Sequence, residues 1–148
     1  MTAEPAAADP DFAQTVKGAV LSMPAAKHLG FEFAWLEPGA VEIVQPHRDE
    51  LTQHDGFIQG GVLGSLADFA GGSAAGTLLP PGWVNMTIDY TVKLLAPAKG
   101  EWIVARGRVI KPGSLVTVAA ADVLAVNGTG ETLCATALVT MRNVQPAG

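Results

Sequence analysis

Residues 60–79 read GGVLGSLADFAGGSAAGTLL, and the fold turns on what this stretch becomes. Its apolar side chains fall on nearly every side of a helical projection, and glycines recur through it. Intrinsic propensity disfavours a helix with that many glycines. Small residues, however, let a helix lie close against a sheet or a second helix, so the stretch is expected to be a buried helix. Pro80-Pro81-Gly82 stops it. The length would suit a membrane span, but Asp68 in the middle and the wealth of Gly, Ala and Ser argue for a soluble, buried helix.

Downstream, the segment WVNMTIDYTVKLLAP (83–97) alternates, with Ile88, Tyr90, Val92 and Leu94 facing one way and Thr87, Asp89, Thr91 and Lys93 the other. EWIVARGRVIK (101–111), SLVTVAAADVLAV (114–126) and ETLCATALVTMRNV (131–144) follow the turns Ala98-Lys99-Gly100, Lys111-Pro112-Gly113 and Asn127-Gly128-Thr129-Gly130. Short turns between alternating runs predict a four-stranded antiparallel meander.

Upstream, LGFEFAWLE (29–37) and AVEIVQPH (40–47) flank Pro38-Gly39 and read as a β-hairpin. The polar run RDELTQHDGFIQ (48–59) is long enough for a functional loop. Phe12, Val16, Ala19, Val20 and Met23 make one apolar helical stripe, capped by Asp9 or Asp11 and ended by Pro24. Residues 1–9 read as a flexible tail of Ala, Pro and acids, and residues 10–148 as a single domain. The order is helix, two strands, long helix, four strands, with no βαβ alternation. That is an α+β fold with helices on one face of an antiparallel sheet.

Composition narrows the function. A chain of 148 residues suits one domain, and 49% hydrophobic content fills a core with apolar surface left for a subunit interface. A net charge of −5 without a basic patch excludes nucleic acid as partner. One cysteine, Cys134, cannot form an internal disulfide, and the acidic, proline-bearing first ten residues do not read as a signal peptide. A cytoplasmic protein, without a membrane partner, is expected.

The chemistry concentrates in residues 53–68. A helix beginning at Gly60-Gly61 presents free backbone N–H groups and a partial positive charge, and glycine admits close approach of a ligand. Such a site suits an anion or a polarised carbonyl oxygen. Asp68 is the one carboxylate of an otherwise apolar helix; burying it is costly, which marks it as a general base or nucleophile. Gly60 and Asp68 stand roughly 12 Å apart along one helix axis. A single carbonyl therefore meets both only if Gly60 of one subunit comes beside Asp68 of another, which requires at least a dimer. Gly64, Ala67, Gly71 and Ala75 suit such close packing.

HDGFIQGGVLGSLADFAGGSAAG (54–76) and TIDYTVKLLAPAKGE (87–101) resemble PaaI-like (phenylacetyl-CoA thioesterase-like) acyl-CoA thioesterases, a branch of the hotdog-fold superfamily. The resemblance extends over residues 29–144. It implies a long central helix wrapped by an antiparallel sheet of five to six strands. It also implies hydrolysis of an acyl-CoA in a homo-oligomer, at minimum a dimer and commonly a tetramer. By the same resemblance, the Gly60 N–H polarises the thioester carbonyl, Asp68 acts from the partner subunit, and Gln53 holds the thioester or water. The chain departs from the family at Gln59, where many members carry histidine. Gln59 cannot exchange a proton near neutral pH, which leaves it a hydrogen-bonding role. Ser73 occupies a place where some relatives position water with a hydroxyl.

His54 and Gly61 complete the substrate-binding set in the motif, while His28 and His47 read as structural or solvated. Phe57, Phe69, Trp83, Asn85 and Met86 are expected around the acyl group. Coenzyme A phosphates need cations, and Arg106, Arg108, Lys111 and Arg142 are the candidates, with Ser114 in the turn after Lys111. No His/Cys cluster predicts a metal, no dinucleotide or Walker fingerprint occurs, and coenzyme A enters only as part of the substrate. Two rivals stand beside this expectation. A hotdog hydratase or dehydratase wants a catalytic histidine that Gln59 and the lone Asp68 do not supply, and a non-catalytic acyl-CoA binding protein needs only the fold.

Overall fold

A computed structural model describes residues 3–147; the first two residues of the expected tail, and Gly148, lie outside the described residues. Three helices, α1 (Phe12–Leu21), α2 (Pro24–Leu29) and α3 (Gly60–Gly76), accompany six strands. The strands are β1 (Glu32–Glu37), β2 (Ala40–Pro46), β3 (Val84–Leu94), β4 (Trp102–Lys111), β5 (Val116–Asn127) and β6 (Gly130–Val144). They form one antiparallel sheet in the order β1-β2-β4-β5-β6-β3, and α3 lies across its inner face. This is the expected α+β hotdog arrangement.

The small residues of α3 have their reason in the approach to the sheet. A Cβ on Gly107 of β4 would stand 2.2 Å from the Ala70 carbonyl oxygen, and one on Gly71 would stand 2.9 Å from Val139 Cγ2. The helix backbone thus rests almost directly on β4 and β6. Leu63, Leu66, Ala67, Ala70 and Ala74 are buried between them, with Val41, Ile43, Ile103, Val123 and Val139 opposite. Truncating a fully buried leucine such as Leu66 to alanine costs on the order of 2–5 kcal/mol.

Three expectations are corrected. First, α1 stops at Leu21, so Met23 of the expected stripe lies outside it, and Pro24 opens α2, at a first-turn position where proline's missing N–H costs nothing. Gly30 closes α2 in the left-handed region at φ 84°, so extended structure begins at Glu32 and not at Leu29. Second, the meander holds only for β4–β5–β6. Strand β3 pairs with β6, while β2 takes the edge of β4 that β3 was expected to occupy. The reason lies in residues 95–101, a connection too long for a tight turn; it carries the chain from one sheet edge across to the other. Its start is held on β6 by Leu95 N–H to Cys134 O, 2.8 Å, and its middle by Ile58 N–H to Ala98 O, 2.8 Å.

Third, the alternation in β3 is broken by a bulge at Ile88, between Thr87 and Asp89. Thr87 lies opposite Met141, and Tyr90 opposite Val139, both inward-facing residues of β6. The extra residue therefore turns Thr87 onto the helix side together with Tyr90, Val92 and Leu94, away from Asp89 and Thr91. At the N-terminus, the Asp9 carboxylate accepts from the Asp11 N–H at 2.8 Å and the Thr15 hydroxyl at 3.1 Å, while Asp11 makes no side-chain cap. In the described part of the expected tail, Pro5 lies against the β1–β2 turn at Gly39.

Candidate active site

The loop before α3 is a closed structure. Short 3-10 turns at Asp49–Leu51 and His54–Gly56 are tied by a bridge between Thr52 and Ile58. Gln53 N–H reaches Phe57 O at 2.8 Å, and Gln59 N–H reaches Leu51 O at 3.0 Å. Asp55 adopts φ 64°, a left-handed conformation uncommon for a residue with a side chain. Lys99 buttresses this point: its Nζ donates to Asp55 O at 3.0 Å and sits 5.3 Å from the centre of the Phe57 ring. Phe57, expected beside an acyl group, is engaged with Lys99 and does not line the cavity described below. Gln53 and His54 are exposed on the loop.

Gln59 is the N-cap of α3. Its side-chain carbonyl accepts the Val62 N–H at 3.1 Å, in the way a shorter Ser or Asp usually does. The room for this comes from Gly61, where a Cβ would meet the Gln59 amide oxygen at 2.8 Å. The hydrogen-bonding role expected of Gln59 is thus at least partly spent on its own helix. Among the described residues, the N–H groups of Gly60 and Gly61 carry no backbone partner. They are orphan donors at the positive end of a 17-residue helix. Leu94 lies over Gly60, where a Cβ would come within 2.8 Å of Leu94 Cδ1.

Asp68 sits two turns further along α3, half-buried. Burial raises its carboxyl pKa from the ordinary value, and the Thr87 hydroxyl, donating to Asp68 Oδ1 at 2.7 Å, pulls in the opposite direction with smaller effect. The same hydroxyl lies 3.2 Å from Met141 Sδ. Asp68 opens onto a cavity of about 400 Å³ between α1, α3 and the start of β3. Phe69, Trp83, Asn85 and Met86, the residues expected around an acyl group, line it, and Ser73 joins them. The Asn85 side-chain amide donates to Gly72 O at 3.0 Å. Val16, Ala19 and Val20 of α1, with Met23 just before α2, form the opposite wall, a role the sequence showed only as an apolar stripe. A second hollow of about 440 Å³, lined by Phe33, Val44 and Trp102 among others, lies by the β1–β2–β4 end and gathers no converging polar groups.

The expected phosphate cations divide. Ala105 and Gly107 face α3, so Arg106 and Arg108 between and after them face away from Asp68. Arg106 is clamped by Glu42 at 2.7 Å and Glu131 at 2.7 Å, and Arg108 pairs with Asp122 at 3.4 Å. The two carboxylates raise the Arg106 pKa, and Arg106 lowers that of Glu131. Neither arginine is the free cation expected for coenzyme A. Lys111 and Ser114 are exposed, on the turn that Asn143 holds through Gly113 O at 2.9 Å. Arg142 reaches Leu115 O at 3.4 Å. Among the described residues no three His, Cys, Asp or Glu side chains converge, and no helix is long and apolar enough to cross a membrane.

Residues 55–134 match the family model described as "Thioesterase superfamily". This chain belongs to the thioesterase superfamily. A solved thioesterase family protein from Silicibacter pomeroyi is 33% identical, with a TM-score of 0.88 over 91% of this chain and 99% of that one. A Ralstonia eutropha structure named "putative thioesterase, phenylacetic acid degradation-related protein" is 25% identical, with a TM-score of 0.75 over 88% of this chain and 98% of that one. A Halobacterium salinarum protein named "Putative esterase" is 36% identical over 65% of this chain and 66% of its own length. These likenesses bear out the hotdog fold and the PaaI-like resemblance, and thioester hydrolysis is the general reaction they support. The matched region takes in Gly60, Asp68 and Thr87 together.

Proposed function

We propose that this protein hydrolyses an acyl-CoA thioester to the free acid and coenzyme A, as a homo-oligomer of at least two and commonly four subunits. The observation that carries the proposal is the placement of Asp68: half-buried, aligned by Thr87, and opening onto an apolar cavity sized for an acyl group. In this mechanism the Gly60 N–H of one subunit binds the thioester carbonyl oxygen and stabilises the charge that grows there. Asp68 of the partner subunit takes a proton from water as water attacks the carbonyl carbon, or attacks that carbon itself to give an anhydride that water opens. Gln53 orients the reacting groups. The carbon–sulfur bond breaks and the thiolate leaves, taking up a proton as free coenzyme A. The protein's own groups suffice for these steps, and coenzyme A is substrate only. Lys111, Arg142 and Ser114 are the groups left to meet its phosphates.

Two features support a shared site. Gly60 and Asp68 lie on one helix, about 12 Å apart along its axis, so one carbonyl does not touch both within a protomer. Strand β3 is a sheet edge that exposes Met86 (62%), Ile88 (60%) and Tyr90 (47%). A long apolar edge of this kind is a template for pairing with another chain. The buried, unpaired Cys134 accords with a reducing, cytoplasmic setting.

The test is release of free thiol from phenylacetyl-, benzoyl-, hexanoyl-, decanoyl- and acetyl-CoA by wild type and Asp68→Asn. Turnover of one acyl class, abolished in the variant, is the expected result. Tight binding with no turnover of any thioester would replace the enzyme by an acyl-CoA binding protein.

A further inference from the structure

Among the described residues, Asp68 is the one charged side chain lining the cavity of about 400 Å³ between α1, α3 and the start of β3. No lysine, arginine or histidine belongs to that wall. Its neutral polar groups are turned to other partners. The Thr15 hydroxyl donates to Asp9 Oδ2 at 3.1 Å, the Thr87 hydroxyl donates to Asp68 Oδ1 at 2.7 Å, and the Asn85 amide donates to Gly72 O at 3.0 Å. Ser73 is buried, its Oγ included. The carboxylate that Thr15 binds places a second negative charge beside the α1 side of the wall.

The apolar part of the wall is adaptable in outline. Three of the chain's four methionines, Met23, Met86 and Met141, line this one cavity. Met23 and Met86 are 44% and 62% exposed and belong to its open side. Met141 is buried, with its sulfur 3.2 Å from the Thr87 hydroxyl. An unbranched, polarizable thioether side chain fits itself to ligands of different shape.

We infer that this cavity takes an uncharged hydrocarbon acyl group and turns away an acyl group that ends in a carboxylate, selecting by charge more than by shape. The inference rests on the thioester reading above, since it takes the acyl group of that substrate as the occupant. A terminal carboxylate would enter beside Asp68 with no cation to pair with, and would give up its water without gaining donors in return. A hydrocarbon group has no such loss, and its burial is favourable. To a wall carrying three methionines, straight-chain and ring-bearing hydrocarbons are one class.

The experiment compares kcat/KM for hexanoyl-CoA, phenylacetyl-CoA, adipoyl-CoA and adipoyl-CoA methylated at its free carboxyl. Hexanoyl- and phenylacetyl-CoA should agree within about tenfold, and adipoyl-CoA should fall below hexanoyl-CoA on the order of a hundredfold or more. The methyl ester should recover most of that loss. Thr15 and Ala19 line the cavity from exposed positions on α1. Of Thr15→Lys and Ala19→Lys, at least one should narrow the gap between adipoyl- and hexanoyl-CoA on the order of tenfold, by bringing a cation to the wall. Equal turnover of adipoyl- and hexanoyl-CoA would overturn the inference, as would a methyl ester rejected as strongly as the acid. So would a spread of about a hundredfold between hexanoyl- and phenylacetyl-CoA, or a gap that neither lysine narrows. The thioethers S-hexyl-CoA and S-(5-carboxypentyl)-CoA, measured by calorimetry, separate this inference from the reaction. If wild type turns over no thioester, the hydrolysis reading fails. The cavity is then judged on the thioethers: tighter binding of the hexyl compound sustains the inference, and equal or absent binding of the pair overturns it.

Discussion

The Thr87 hydroxyl donates to Asp68 Oδ1 at 2.7 Å, joining an edge strand to the central helix. This bond exists because the bulge at Ile88 turns Thr87 inward. It favours the ionised carboxylate against the burial that raises its pKa. Thr87→Val keeps the shape and removes the donor. Ionisation of Asp68 then becomes harder, so the acid limb of the pH profile of kcat/KM moves to higher pH. An unmoved limb would show that the ionisation controlling the rate belongs to another group.

Asp68 also sets a pH dependence of stability. Its folded pKa is raised, so the protonated form suits the folded state better than the ionised form. That stabilisation is fully present below the unfolded-state pKa and is lost as pH rises through the folded value. Near neutral pH the buried carboxylate is a net cost, which asparagine does not carry. Asp68→Asn is expected to lose about 10²–10⁴-fold in kcat/KM as a missing general base. Its Tm should exceed that of wild type near neutral pH, with the gap closing on acidification. A lower Tm at every pH would show that the charge is compensated in the fold.

The sequence announced α3 and its flanking elements through periodicity and turn residues, and it singled out Gly60 and Asp68 from residue type, their place on the helix and their spacing. What it concealed were relations between strands. Thr87 belonged to the wrong face on strict alternation, since a one-residue bulge leaves no mark in a pattern of period two. The partner of β4 depended on where residues 95–101 carry the chain, which local turn chemistry does not state. Arg106 looked free because Glu42 and Glu131, its neighbours across the sheet, lie 64 and 25 positions away in the chain. The α1 stripe gave an apolar face but not the fact that a cavity remains beneath it.

Lys99 is expected to act on the site without touching substrate. It braces the left-handed turn at Asp55 through a 3.0 Å hydrogen bond and covers Phe57 from 5.3 Å. The ring contact is worth about 0.5–1 kcal/mol at an exposed site. With about 0.5–1.5 kcal/mol more for the lost hydrogen bond, Lys99→Met should lower Tm by no more than about 10 °C. Amide exchange in residues 53–59 should rise, and kcat should fall more than KM changes, because Gln53 rides on this loop. Unchanged exchange in the loop would remove Lys99 from the site.

The sharing of one site between two subunits is open to a direct test, because the two proposed groups can be deleted separately. Gly60 is the first residue of α3, where proline is well tolerated, and Gln59 before it has ψ 137°, which a following proline accepts. Gly60→Pro thus removes the N–H and leaves the helix in place. A Cβ added at Gly60 meets only Leu94, with Cδ1 at 2.8 Å, and combining the change with Leu94→Ala relieves that contact. Each of Gly60→Pro and Asp68→Asn should be inactive alone. Co-refolded at equal amounts, they form mixed dimers in which one site receives the intact Gly60 of one chain and the intact Asp68 of the other. With random pairing, half the dimers are mixed and each holds one of two sites, so activity should return to about a quarter of the wild-type level. If both groups acted within a single protomer, every site in the mixture would lack one of them and no activity would return.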